Sequence, residues 1–130
     1  MELVLSSELT YVPKFGGNRK MPAAEQIVAI YRAPTMSMKK RLLPRPNFTF
    51  NYDSAGNVKG GEVSIGLDSK PLIDGMLIRL TNARWKDGDE VHEITDAKSL
   101  YEAPVQFDEL VEELADHFRA ELDKKYKEKN

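Results

Sequence analysis

From Pro104 to Lys127 the chain reads PVQFDELVEELADHFRAELDKKYK, and its apolar positions recur at spacings of three and four. Phe107, Leu110, Val111, Leu114, Phe118 and Leu122 therefore fall on one side of a helix with a 3.6-residue period,. Asp108, Glu109, Glu112 and Glu113 occupy its first half and Lys124, Lys125, Lys127 and Lys129 come at its end, the polarity that a helix dipole favours,. Pro104 suits a first turn, where its missing N–H has no intrahelical partner. The pattern predicts a long amphipathic helix over 104–127 whose oily stripe needs a partner, in the same chain or another.

The remainder alternates between strand and helix signals. Residues 1–12 suit a short strand or a frayed terminus, and Pro13 with Gly16–Gly17 breaks the chain after them,. Over residues 25–32, EQIVAIYR, a strand would place Ile27, Ala29 and Tyr31 on one face,. Thr35 or Ser37 can cap a short helix from Met36 to Leu43, stopped by Pro44 and Pro46,. NFTFNY at 47–52, the turn DSAGN and the run 58–67 predict a β-hairpin over 47–67, with Gly60, Gly61 and Gly66 as bends,. Asp68 or Ser69 then caps a helix over residues 71–83, where Leu72, Ile73, Met76, Leu77 and Leu80 form a stripe expected to pack on the C-terminal helix,. Asp87–Gly88 reads as a turn, with Val91 and Ile94 as anchors, and Asp96 to Tyr101 as one short helical turn,. The fold class is α+β: residues 1–130 form a single small domain, with an N-terminal strand and a β-hairpin before a helix-rich C-terminal half,.

Composition adds what this domain is not expected to be. With 41% hydrophobic and 31% charged residues the chain can bury a core unaided,. It contains no cysteine, which removes disulfides, thiolate metal sites and cysteine nucleophiles together,. No signal peptide and no apolar run of about 18 residues is seen, so an intracellular protein with no membrane association is expected. The net charge of −2 is unevenly spread. Residues 1–46 carry eight Lys and Arg against three Glu, a net of +5, whereas residues 86–130 carry seven cations against fourteen acids, a net of −7. Such asymmetry can steer partners or let the ends of neighbouring copies attract.

Candidate chemistry is sparse. Glu113, His117 and Glu121 share a helix side at metal-ligand spacing, but with no second histidine a solvated face is the simpler reading,. The glycines match no phosphate-binding loop and no carboxylate pair stands out for acid–base work, so neither enzyme activity nor a cofactor is expected. Residues 38–52, MKKRLLPRPNFTFNY, hold four cations and three aromatics with no acid, a composition able to grip a phosphate backbone and stack bases,. Without an RNP motif, nucleic acid is the lesser reading. Met21, Met36, Met38 and Met76 lie in or near helical surfaces, where methionine serves adaptable contacts or core filling,.

Tyr11, Pro13, Asn18, Arg19, Pro22, Glu25, Gln26, Ile27, Pro34 and Thr35 stand in a pattern of the form YxP…NRxLPxxEQI…PT. Together with the DG turn at Asp87–Gly88, the step ITDA at 94–97 and the final amphipathic helix, this order resembles the tail assembly chaperones encoded in tailed-phage and prophage tail-gene clusters. The likeness covers roughly residues 9–43 and 82–130 and is poorer between them, where the aromatic hairpin looks inserted into a middle that the resemblance implies is mostly helical. It implies a non-enzymatic protein of the bacterial host cytoplasm that binds the tape-measure protein, helps recruit tail-tube protein and self-associates as a homo-oligomer. Under that reading Met36, Met38, Leu42 and Leu43, with Phe107, Leu110, Leu114 and Phe118, are the expected client or self contacts, core packing being the alternative,. A structural tail or connector subunit, using the hairpin as an assembly arm, is the second reading, and a small basic-aromatic nucleic-acid binder the third.

Overall fold

A computed structural model describes residues 1–43, 46–65 and 69–124. Its strands and helices run β1 (Glu8–Tyr11), β2 (Val28–Arg32), α1 (Met36–Leu42), β3 (Pro46–Tyr52), β4 (Val58–Ile65), α2 (Lys70–Met76), β5 (Leu77–Thr81), β6 (Ala83–Asp87), β7 (Glu90–Ile94), α3 (Ala97–Tyr101) and α4 (Asp108–Leu122). This is the α+β class expected. The strands make a three-stranded antiparallel sheet ordered β1-β2-β5 and two separate ribbons, β3–β4 and β6–β7.

The C-terminal stripe organises the interior. A 3-10 turn at Val105–Phe107 leads into α4, whose Leu110, Val111, Leu114, Ala115, Phe118 and Leu122 are all buried. One side of that stripe takes Leu72, Ile73 and Met76 of α2, so the packing of these two helices is as the sequence predicts. The other side meets β2, where the pleat sends Ala29 and Tyr31 inward,. The Tyr31 and Phe118 rings lie 5.0 Å apart. Residues 125–127 of the predicted helix, Gly66 and residue 67 of the predicted hairpin, and the Pro44 and Asp68 signals lie outside the described residues.

The helix predicted over 71–83 ends at Met76, and this part of the reading is corrected. Leu77–Thr81 instead forms β5, paired with β2 from Val28↔Thr81 to Tyr31↔Leu77. Both readings bury Leu72, Ile73, Met76, Leu77 and Leu80. What decides between them is the second edge of β2, a row of backbone donors and acceptors at the core that only a strand can satisfy. Asn82 then turns the chain in a left-handed conformation, φ 62°, into the β6–β7 ribbon, closed at Gly88 with φ 60°,. The middle of the chain is therefore mainly strand, against the helical middle implied by the resemblance. Ile94 is buried as expected, whereas Val91 is exposed.

Capping explains the short helices. The Thr35 hydroxyl accepts from the Met38 N–H at 3.1 Å and starts α1,. Asp96 and Ser99 form a capping box on α3,. In it the Ser99 N–H donates to the Asp96 carboxylate and the Asp96 N–H to the Ser99 hydroxyl oxygen; bonds from the Ser99 N–H and hydroxyl to that carboxylate also hold its pKa below the usual value,.

Candidate interaction surface

Residues 11–27, where the sequence pattern is densest, build one structured loop on the α4 side of the sheet. Asn18 is its centre: its Nδ2 donates to the carbonyls of Pro13 (2.9 Å) and Ile27 (3.0 Å), and its Oδ1 accepts from the Ile27 N–H (2.6 Å). Asn18 is the one buried polar residue among the described residues, 2% exposed, and Pro13 beside it is fully buried. Arg19 donates from Nε to the Val12 carbonyl (2.9 Å) and its guanidinium lies over the Tyr11 ring. Gln26 bridges the carbonyls of Arg19 and Met21, while the Gln26 carbonyl itself accepts from Asn82 at 3.0 Å. Tyr11 reaches α4, donating to Glu113 at 2.6 Å, and the same carboxylate accepts from the backbone N–H groups of Lys14 (2.7 Å) and Phe15 (3.0 Å). Most of the pattern on which the family resemblance rests thus has a structural purpose within the chain.

His117 and Glu113 are committed in the same way. The His117 ring stacks on Tyr11 at 3.9 Å, and its Nε2 lies 3.0 Å from the Tyr31 hydroxyl. Burial pushes the imidazole pKa down, with Glu121 and Glu113 opposing and Lys124 and Arg19 adding to the effect,. Both phenols are pushed up to about 12, first by burial, then by Glu113 for Tyr11 and by Glu121 for Tyr31. Among the described residues no group of three or more His, Asp or Glu is arranged to hold a metal ion.

The eight residues predicted as client or self contacts divide sharply. Leu110, Leu114 and Phe118 are fully buried and Phe107 packs partly buried against Phe15, so in the folded chain α2, β2 and the 11–27 loop occupy the stripe. A partner could reach it only by displacing the core. Met38 is buried, and Leu42 and Leu43 are half-buried against the same core. Only Met36, 78% exposed, is a surface residue.

Exposed apolar side chains also occur singly at Met21, Val91, Tyr101 and Val105, and together in two places. Leu3, Val4 and Leu5 are exposed in the extended residues before β1. The pairing Glu8↔Arg32 and the bond from the Ala33 N–H to the Ser7 carbonyl send this segment past the end of β2 from which α1 and Met36 depart. The second place is the β3–β4 ribbon, hereafter the arm. Among the described residues its strands pair only with each other, and Phe50, Tyr52 and Val58 are exposed. In its register Phe50 faces Gly61 and Tyr52 faces Val58, so these side chains share one face,.

Comparison with models of known families, with curated proteins and with solved structures finds no match.

The surface must therefore be read by its own chemistry. Lys39, Lys40 and Arg41 are exposed at the root of the arm, next in sequence to its aromatic strand. A shallow cleft of about 470 Å³ lies beside that root, lined by Leu43 with Asp116, Arg119, Ala120 and Asp123 of α4. Nothing in the hydrophobic periodicity singled out the arm's exposure. The available signal was an aromatic hairpin set off by prolines before it and glycines within it,.

Proposed function

We propose that the chain is a non-enzymatic assembly protein of phage tail morphogenesis, a tail assembly chaperone that binds the tape-measure protein and helps recruit tail-tube protein in the host cytoplasm. The observation that carries this reading is the grouping of apolar side chains in solvent on segments outside the core: Phe50, Tyr52 and Val58 of the arm, Leu3, Val4 and Leu5 before β1, and Met36 at the start of α1. An isolated two-stranded ribbon is marginally stable in water, so an aromatic one of this length calls for a covering partner. The pattern in residues 11–35 supports the tail-assembly context, and Leu3, Val4, Leu5 and Met36 replace the α4 stripe as client contact.

The test is to express a tape-measure fragment from the same gene cluster with and without this protein. The fragment is expected to stay soluble and co-elute with the wild-type chain, and to be lost by the Leu3→Ser, Val4→Ser, Leu5→Ser triple variant. A fragment equally soluble and never co-eluting in either case would refute the reading.

The arm also favours a second reading, a structural tail subunit that holds its neighbour in the finished particle. The two differ in purified virions: a chaperone is absent from them, a subunit is present at fixed stoichiometry.

A further inference from the structure

The arm springs from α1, where Lys39 and Arg41 are exposed and, among the described residues, enter no ion pair. Glu109 and Glu112 are in the same position on the outer face of α4. These residues belong to the +5 and −7 ends of the sequence, and among the described residues their charges meet no ion-pair partner. Opposite charges that find no partner in one molecule are complementary between two.

Size points the same way. A ribbon of seven- and eight-residue strands is about 25 Å long and two strands wide, a face of a few hundred Å²,. That is well short of the roughly 800 Å² per partner of a stable interface, so arm against arm alone is too little. An arm that brings its cationic root onto the body of a neighbour has more to bury.

We infer that the arm and its root, Lys39 and Arg41 with Phe50 and Tyr52, dock on the acidic outer face of α4 in a second copy of this chain. The two surfaces are different, so the contact is heterologous: every copy offers one arm and one acidic face, and repetition closes a ring or extends a row. The inference stands apart from the tail-assembly reading, because the purified protein alone tests it.

Sedimentation of the full chain at low salt is expected to show concentration-dependent association that weakens as salt is added. The double variants Lys39→Glu with Arg41→Glu, and Glu109→Lys with Glu112→Lys, are each expected to associate about tenfold or more weakly. An equal mixture of the two is expected to regain association, since each root then faces a helix of opposite charge. Phe50→Ser with Tyr52→Ser should weaken association without changing the circular dichroism of the body. A wild-type monomer at every concentration would overturn the inference, as would association indifferent to salt or a mixture that stays monomeric. Salt-dependent binding of a single-stranded oligonucleotide through Lys39 and Arg41 by a monomeric chain would overturn it too, by giving the cations another occupant.

Discussion

The Tyr11 hydroxyl donates a 2.6 Å hydrogen bond to Glu113, joining residues 102 positions apart. With the Lys14 and Phe15 N–H groups on the same carboxylate, one side chain of α4 fastens both the end of β1 and the loop after it. Glu113→Ala leaves those donors without their acceptor and is expected to cost about 2 kcal/mol, against about 1 kcal/mol for Tyr11→Phe, which removes a single bond. Urea midpoints measure both. The phenol, held protonated to about 12 against an ordinary 10.0, contributes fully below pH 10 and loses its contribution as pH rises toward 12,.

His117 gives a dependence at the other end of the scale. Its imidazole is depressed from 6.5 chiefly by burial between Tyr11 and Tyr31, so the folded chain prefers the neutral ring. The unfolded chain binds that proton more readily. The resulting stability is complete above about 6.5 and declines as pH falls from there through the folded value,. Urea midpoints measured from neutral pH downward should fall, and His117→Gln should remove part of that slope while lowering stability throughout. A slope unchanged by the substitution would exclude His117 as its source.

Asn18 tests whether the residues of the 11–27 pattern serve the fold. Asn18→Ala leaves the Ile27 N–H and two carbonyls unpaired in a buried site, a loss of about 3 kcal/mol. Asn18→Asp is nearly the same shape but points a carboxylate at the carbonyls of Pro13 and Ile27, where an amide donated. The acid is therefore expected to be worse than the alanine, an order that volume alone does not predict. Thermal melts of the two variants distinguish these accounts.

Different parts of this architecture were legible to different degrees. Helix α4 was readable because its period repeats from Phe107 to Leu122, and the hairpin because DSAGN separates two strand-like runs,. Strand β5 was not, because Leu77 and Leu80 continue the stripe of Leu72, Ile73 and Met76. Periodicity cannot register the unpaired edge of β2 that claims them. The β6–β7 ribbon buries only Ala83 and Ile94 under a run of charges, so its alternation is faint. Among the contact candidates the stripe's existence was plain and its occupant was not: an apolar face reads the same whether its own chain or another covers it. The bonds of Asn18 join irregular loop backbone and those of Glu113 join residues far apart in sequence, and neither leaves a periodic trace.

The contrast between stripe and surface is directly testable. Leu114→Ala opens a cavity in the fully buried stripe and is expected to cost about 2–5 kcal/mol,. Met36→Ser, in solvent, should change stability by no more than about 0.5 kcal/mol. Denaturant titration gives both numbers. Equal small effects would mean that α4 is not held in the core as described.

Gly75 sets how closely α1 approaches α2, and through α1 how the arm is rooted. A Cβ built there would lie 2.9 Å from Leu42 Cδ1, close enough to demand movement but at the far end of a flexible side chain. Gly75→Ala gains about 1 kcal/mol of helix propensity and loses some of it to that adjustment, so its net effect should be small. Gly75→Leu cannot be absorbed by turning Leu42 and is expected to cost about 1–3 kcal/mol as α1 is forced away from α2. Because the Cβ would meet Leu42 and Arg41 of α1, the penalty should be unchanged when residues 46–65 are replaced by a short flexible linker. A penalty that disappears with the arm would show that the ribbon, and not α1, bears on this contact.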